Sequence, residues 1–155
     1  MIREARPGEA DVLAGIQRDA SVAALAHIFP PAEYPYPIEE VRQRWAESLA
    51  SLEVTVVVAE EEDGAVGCAG YRDDWLDGLY VVPALWGEGV GPALHDHVLD
   101  RLRERGSPQC HLWVLEDNRR ARRFYERRGW RENGTTRVVP FPPNPTDFGY
   151  TIELG

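Results

Sequence analysis

Apolar residues along this chain switch repeatedly between a spacing near two and a spacing near three and a half, and each switch marks an element. "IEEVRQRWAESLASL" (38–52) puts Val41, Trp45, Leu49 and Leu52 on one stripe at i, i+4, i+8 and i+11, which predicts an amphipathic helix. An earlier helix starts near Pro7, runs through "EADVLAGIQRDASVAALA" and stops before Pro30. "VTVVVAEE" (54–61) is β-branched and strand-like, "EDG" turns the chain, and "AVGCAGYR" (65–72) returns as its hairpin partner. "WLDGLYVVP" (75–83) is a further strand. Leu94, Val98, Leu99 and Leu102 share one face of a helix over about 91–105, ended by Gly106. "QCHLWVLE" (109–116) is apolar on both faces, which predicts a central strand, and a helix over 118–128 stops at Gly129. Short strands over about 1–5, 130–139 and 148–154 complete the order β-α-α-β-β-β-α-β-α-β-β. That order predicts a mixed sheet covered by helices.

Composition narrows the function classes. A length of 155 residues predicts one domain. The net charge of −9 disfavours nucleic-acid phosphates and points to cationic small molecules or peptides as partners. Cys68 and Cys110 lie inside apolar runs without C-x-x-C spacing, so they read as reduced core residues. The opening "MIREARPGEAD" lacks the apolar core of a signal peptide, and no run approaches a membrane span, so a cytoplasmic protein is expected. His27, His95, His97 and His111 show no metal-ligand spacing, and no metal is expected. The proline-rich patches 29–37 and 140–149 read as loops.

The chemistry concentrates in "LYVVPALWGEGVGPAL" (79–94). Gly87, Gly89 and Gly91 join a strand to a helix, where the first amides have no internal partner and sit at the positive end of the helix dipole. Such a corner suits a phosphate. A P-loop would need Lys and then Ser or Thr after the last glycine, and Pro92 and Ala93 stand there instead. G-x-G-x-x-G fails as well, because its third glycine falls on Pro92 or Leu94. On this stretch alone, a plain turn with a glycine cap stays open.

Two blocks together resemble the GNAT superfamily of acetyl-CoA-dependent N-acetyltransferases. Leu79-Tyr80-Val81-Val82-Pro83 followed by Trp86-Gly87-Glu88-Gly89-Val90-Gly91 is similar to its strand and its Q/R-x-x-G-x-G/A loop. Asn118, Ala121, Phe124, Tyr125, Gly129 and Trp130 are similar to its N-x-x-A-x-x-F-Y-x-x-x-G-[FW] block. The resemblance implies an α/β (α+β) GNAT fold: a mixed, mostly antiparallel central sheet of six to seven strands, about four flanking helices, and a splayed strand pair at the cofactor site. Two departures stand out. Trp86 occupies the Gln/Arg position, and Pro92 removes one amide, so a weaker hold on the cofactor than the family norm is expected.

By that resemblance the loop, with Glu88, Val90 and Pro92, would hold the pyrophosphate of acetyl-CoA, and Leu79, Tyr80 and Val81 would pair with pantetheine. The Leu79 amide would face the thioester oxygen, an oxyanion contact typically worth about 3 kcal/mol. Asn118 and Tyr125 are two helical turns apart on one face, with Ala121 leaving room between them and Phe124 alongside. Tyr125 resembles the family's general acid for the departing thiolate. Arg128 is one turn further on and within reach of the cofactor's 3′-phosphate, although an arginine-rich solvated face accounts for it as well.

An amine must lose a proton before it attacks, because an unperturbed lysine-like amine has a pKa near 10.4. Where family members commonly place an acid, this chain has Trp75 and Trp113. Asp77, on the side of Leu79 by strand alternation, is the nearest substitute base and Glu116 is the next, while a solvated strand-edge carboxylate or a substrate anchor stays open for Asp77. Asp74 and Trp75, with Tyr34 and Tyr36 on the loop between the first two helices, suit a cationic acceptor. The expected activity is acetyl transfer from acetyl-CoA to a primary amine by direct attack in a ternary complex. The rivals are a CoA-binding module without turnover and a nucleic-acid contact through the arginine-rich helix 118–131, the second disfavoured by the net charge of −9. Family members often dimerise, so a homodimer stays open.

Overall fold

The computed structural model describes residues Met1–Gly155. Its elements are β1 (Ile2–Glu4), α1 (Ala10–Leu25), α2 (Ile38–Ala50), β2 (Val54–Glu61), β3 (Gly64–Arg72), β4 (Trp75–Val81), α3 (Val90–Glu104), β5 (Gln109–Leu115), α4 (Arg119–Glu126), β6 (Arg131–Val138) and β7 (Thr146–Glu153), with a 3-10 turn at Pro83–Leu85. The seven strands form one sheet in the order β1-β2-β3-β4-β5-β7-β6. Every neighbouring pair is antiparallel except β4 and β5. That parallel pair holds together at one register position, Trp75 opposite His111, and diverges beyond it. The mixed sheet, the four helices and the splayed pair all match the expected fold class.

Strand alternation divides the apolar residues between two layers. Val56, Val58 and Cys68 face α1 and α2, where they pack with Leu13, Ile16, Val41 and Trp45. Val57, Ala59 and Ala69 face the other way, toward Leu94, Val98, Leu99 and Leu102 of α3. The helical stripe of residues 38–52 is shorter than its spacing predicts. The helix stops at Ala50, Ser51 is extended (ψ 136°), and Leu52 is fully exposed. The strand β5 buries one face only: Cys110, Leu112 and Val114 are buried, whereas His111 and Trp113 are partly open. The reason is coverage. α1 and α2 pack chiefly on β2, β3 and β4, which leaves that side of β5 less covered.

Arg3 ties the amino-terminal strand to the body. Its guanidinium holds Glu9 and Glu60, each at 2.9 Å, and lowers the Glu9 carboxyl to about 2.

Candidate functional site

The splay is a consequence of hydrogen-bond pairing along β4. The Val82 amide donates to Val66 of β3 at 2.9 Å, so at period two the main-chain groups of Tyr80 and Gly78 also face β3. Those of Leu79 and Val81 then face the gap toward β5. The Trp86 indole N–H donates to the Val81 carbonyl in that gap at 2.8 Å.

The glycine loop closes one end of the gap. Gly87 and Gly89 sit at φ 82° and 91°, a left-handed conformation that costs a side-chain-bearing residue about 1–2 kcal/mol. Gly89 is the N-cap of α3 and offers no side chain to its amides. The amides of Gly87, Gly89, Val90 and Gly91 therefore donate to nothing in the chain. Four unpaired donors converge at the positive end of a fifteen-residue helix. Gly91 serves a different purpose: a Cβ there would meet the Phe124 ring at 3.3 Å, so its absence lets α4 come up against α3.

Beside this loop lies a cavity of about 680 Å3. Leu79, Tyr80 and Val81 form one wall, and Trp86, Gly87, Gly89, Gly91 and Pro92 form a second. Asn118, Ala121, Phe124, Tyr125 and Arg128 form the third. Among the cofactor-side residues expected from the sequence, Glu88 and Val90 do not line it; Glu88 is exposed and the Val90 side chain is buried in the core. Asn118 caps α4, its Oδ1 accepting from the Ala121 amide at 3.2 Å. The Tyr125 phenol donates to no group in the chain and opens onto the cavity, and burial of the ring raises its pKa above the ordinary 10.

Sequence reasoning missed part of this cavity. Ala20, Ser21, Ala24 and Leu25 of α1 line it, and the only trace in the sequence is the run of small residues on one helical face. Arg120, Arg123 and Arg127 line it as well. The Arg120 guanidinium lies 4.0 Å from the Trp86 ring centre, and Arg128 lies 3.9 Å from that of Phe124. Trp86 thus holds an arginine over the loop. The first turn of α4 carries no acid, although cations at a helix N-terminus each cost about 0.3–1 kcal/mol. An anion bound in the cavity would offset that cost.

Asp77 is not where alternation puts it. Gly70 pairs with Gly78 but Tyr71 pairs with Leu76, so Asp77 is the extra residue of a β-bulge. The phase changes there, and Asp77 lines a second cavity with Trp75 and Trp113 rather than the one lined by Leu79. Desolvation in that cavity raises its carboxyl above the ordinary 3.8.

The expected acceptor residues are not brought together. Tyr34 packs edge-on against Phe29, and Tyr36 packs against the α1–α2 layer with its hydroxyl buried and without a partner. The Asp74 carboxylate lies 3.4 Å from His111 Nε2 and lines neither cavity. Of that set only Trp75 does. Glu116 lines neither cavity; its main chain is bonded to Thr146 and Arg122. Burial pushes the thiols of Cys68 and Cys110 up to about 12, which leaves no thiolate for attack on a thioester.

The sequence model of the acetyltransferase (GNAT) family matches residues 22–130. An uncharacterized N-acetyltransferase of Mycobacterium tuberculosis (strain H37Rv) is 34% identical over 151 residues, covering 88% of this chain and 97% of the relative. A mycothiol acetyltransferase of Beutenbergia cavernae is 32% identical over 113 residues, covering 69% of this chain but 38% of that protein. Among solved structures, a PaiA N-acetyltransferase of Thermoplasma acidophilum in complex with coenzyme A is similar with a TM-score of 0.81 at 17% identity, over 99% of this chain and 98% of that one. A ribosomal-protein-S18-alanine N-acetyltransferase of Escherichia coli is similar at 0.77 and 18%, over 100% and 94%.

Proposed function

The chain belongs to the acetyltransferase (GNAT) family, and from that premise we propose that it moves an acetyl group from acetyl-CoA to an amine. The observation that carries the reading is the set of four unpaired amides at Gly87, Gly89, Val90 and Gly91, three of them on residues that line a cavity also walled by Leu79 of β4. A diphosphate satisfies the first set, and an amide-bearing arm such as pantetheine satisfies the second. Arg120, Arg123, Arg127 and Arg128 supply the positive field that further phosphate needs.

On this reading the chain's groups act separately. The Leu79 amide faces the position where charge develops on the thioester oxygen. Tyr125 keeps its proton at neutral pH and gives it to the departing thiolate. Asp77, whose raised pKa makes it a stronger base than an ordinary carboxylate, takes the proton of the amine. The transfer is direct, since neither thiol is available to carry the acyl group.

Two measurements test the reading. Calorimetry with CoA gives a saturable heat, and a thiol-release assay with acetyl-CoA and a broad amine panel shows at least one acceptor. No heat at millimolar CoA refutes cofactor binding. Heat without thiol release for any amine refutes catalysis and leaves a CoA-binding module.

A further inference from the structure

The sheet face that α1 and α2 leave open carries the second cavity, of about 470 Å3, and it shares no residue with the cofactor-side cavity. Its floor is aromatic: Trp75 and Trp113 stack with ring centres 6.1 Å apart and planes 22° apart. Its charged residues are Arg72, Asp77, Arg137 and Asp147. They come from β3, β4, β6 and β7 and meet here because the sheet order places β5 between β4 and β7.

Two of the four charges are already matched. Arg137 Nε donates to Asp147 at 2.9 Å, and Asp147 is buried. The same guanidinium lies 4.4 Å from the Trp113 ring centre, so it occupies an aromatic face that a bound cation would otherwise take. Arg72 and Asp77 remain. Each lines the cavity, and neither has an ion-pair partner in the chain, although Arg72 is close enough to lower the Asp77 pKa. The cavity therefore presents one free cation and one free anion above an aromatic floor, and its four charges sum to zero. A polyamine would find one carboxylate and an opposing guanidinium. A small molecule with both an ammonium and a carboxylate would satisfy both.

We infer that this cavity is the acceptor site and takes an amine that also carries an acid group, of the α-amino-acid class, its ammonium facing Asp77 and its carboxylate facing Arg72. The inference rests on the chain being an acetyltransferase. It places the acceptor on the open sheet face rather than between the two tyrosines of the α1–α2 loop. The volume is in the range of a small-molecule site.

The test uses matched acceptors in the thiol-release assay: α-amino acids, their carboxamides, and diamines of similar length. The expected kcat/KM is at least about tenfold higher for the acids than for the carboxamides, the size of one charge-assisted hydrogen bond, and lowest for the diamines. Arg72→Gln brings the acid-to-carboxamide ratio close to one, and Arg72→Lys restores part of it. Arg72 is exposed, and circular dichroism checks that both variants keep the fold. A wild-type ratio near one, a preference for diamines, or a ratio unmoved by Arg72→Gln overturns the inference while acetyl transfer stands. So does CoA binding with no acid-bearing amine either acetylated or able to quench tryptophan fluorescence at millimolar concentration. Absence of CoA binding and of thiol release with every amine is the separate failure of the acetyltransferase reading.

Discussion

Replacing Tyr125 by phenylalanine separates chemistry from folding at one atom. The ring is 8% exposed and packs edge-on against Phe124 and Trp130, with centres 5.2 Å and 5.5 Å away. Phenylalanine keeps both contacts. The hydroxyl has no partner in the chain, so its loss removes no hydrogen bond and leaves no orphan behind. The stability change should stay within about 0.5 kcal/mol, which for a chain of this size is about 2 °C in Tm or less. The turnover effect should be much larger. Loss of a positioned general acid typically costs about 10²- to 10⁴-fold in rate, or about 3–5 kcal/mol of barrier.

The assay is initial-rate kinetics with acetyl-CoA and the best amine, with a thermal melt in parallel. Expected are a kcat lower by at least a hundredfold, a KM for acetyl-CoA within about threefold of wild type, and an unchanged melt. The pH dependence adds a check. Burial raises the Tyr125 phenol above its ordinary 10, so wild-type kcat should show no alkaline fall below that pH. A variant retaining more than about a tenth of wild-type kcat would refute the assigned role. A melt lowered by more than about 5 °C would refute the packing argument instead.

Gly89→Ala should raise the Kd for CoA about tenfold and lower Tm by a few degrees, since φ 91° costs alanine about 1–2 kcal/mol although its Cβ meets nothing within 4 Å; Gly8→Ala, equally unobstructed and without the positive φ, is the control. Trp86→Leu removes the donor to the Val81 carbonyl and the platform under Arg120, so CoA affinity by calorimetry should fall about tenfold; unchanged affinity would show Trp86 to be mere filler. His95 is 3% exposed, with Nδ1–H donating to Asp96 and Nε2 accepting from the Trp130 indole, and burial holds its pKa below the ordinary 6.5. The unfolded chain then binds the proton first, so urea stability should be lost as pH falls below 6.5, by up to about 1.4 kcal/mol per pH unit until the folded value is reached; His95→Gln should flatten that slope.

What the sequence disclosed is what one segment decides by itself. The loop's unpaired amides follow from the glycines of residues 87–91 and the helix that starts there. The seven-residue interval from Asn118 to Tyr125 brings both to one cavity because a helix repeats locally. The face of Asp77 was hidden because a bulge belongs to two strands: it depends on how Gly70 and Tyr71 of β3 pair with Gly78 and Leu76 of β4. The end of α2 was hidden as well, since an apolar Leu52 keeps the helical spacing although the chain has already become extended at Ser51. The second cavity was least legible. Arg72, Trp75, Trp113, Arg137 and Asp147 span 76 positions of sequence, and only the strand order and register bring them together.

The bulge gives β4 two consecutive functions. The side chains of Trp75 and Asp77 face the open side of the sheet, and the main-chain groups of Leu79 and Val81 face the splay. Asp77 and Leu79 are two residues apart, about 7 Å along a strand. That span fits an attacking amine and the carbonyl it attacks, one on each side of the strand pair. A regular strand would carry Asp77 and Leu79 on the same face, and on the proposed mechanism the base would then crowd the thioester. With the extra residue, the proposed mechanism would have the amine lose its proton at one cavity and the thiolate gain one from Tyr125 at the other. Burial raises the Tyr125 pKa and partial desolvation beside the cavity raises that of Asp77, and each shift suits the proposed role, since the carboxylate becomes more basic and the phenol stays protonated. On the proposed mechanism, the β3–β4 register at Gly70 and Tyr71, directly opposite the bulge, is therefore what would keep base and acid on opposite sides of the reaction.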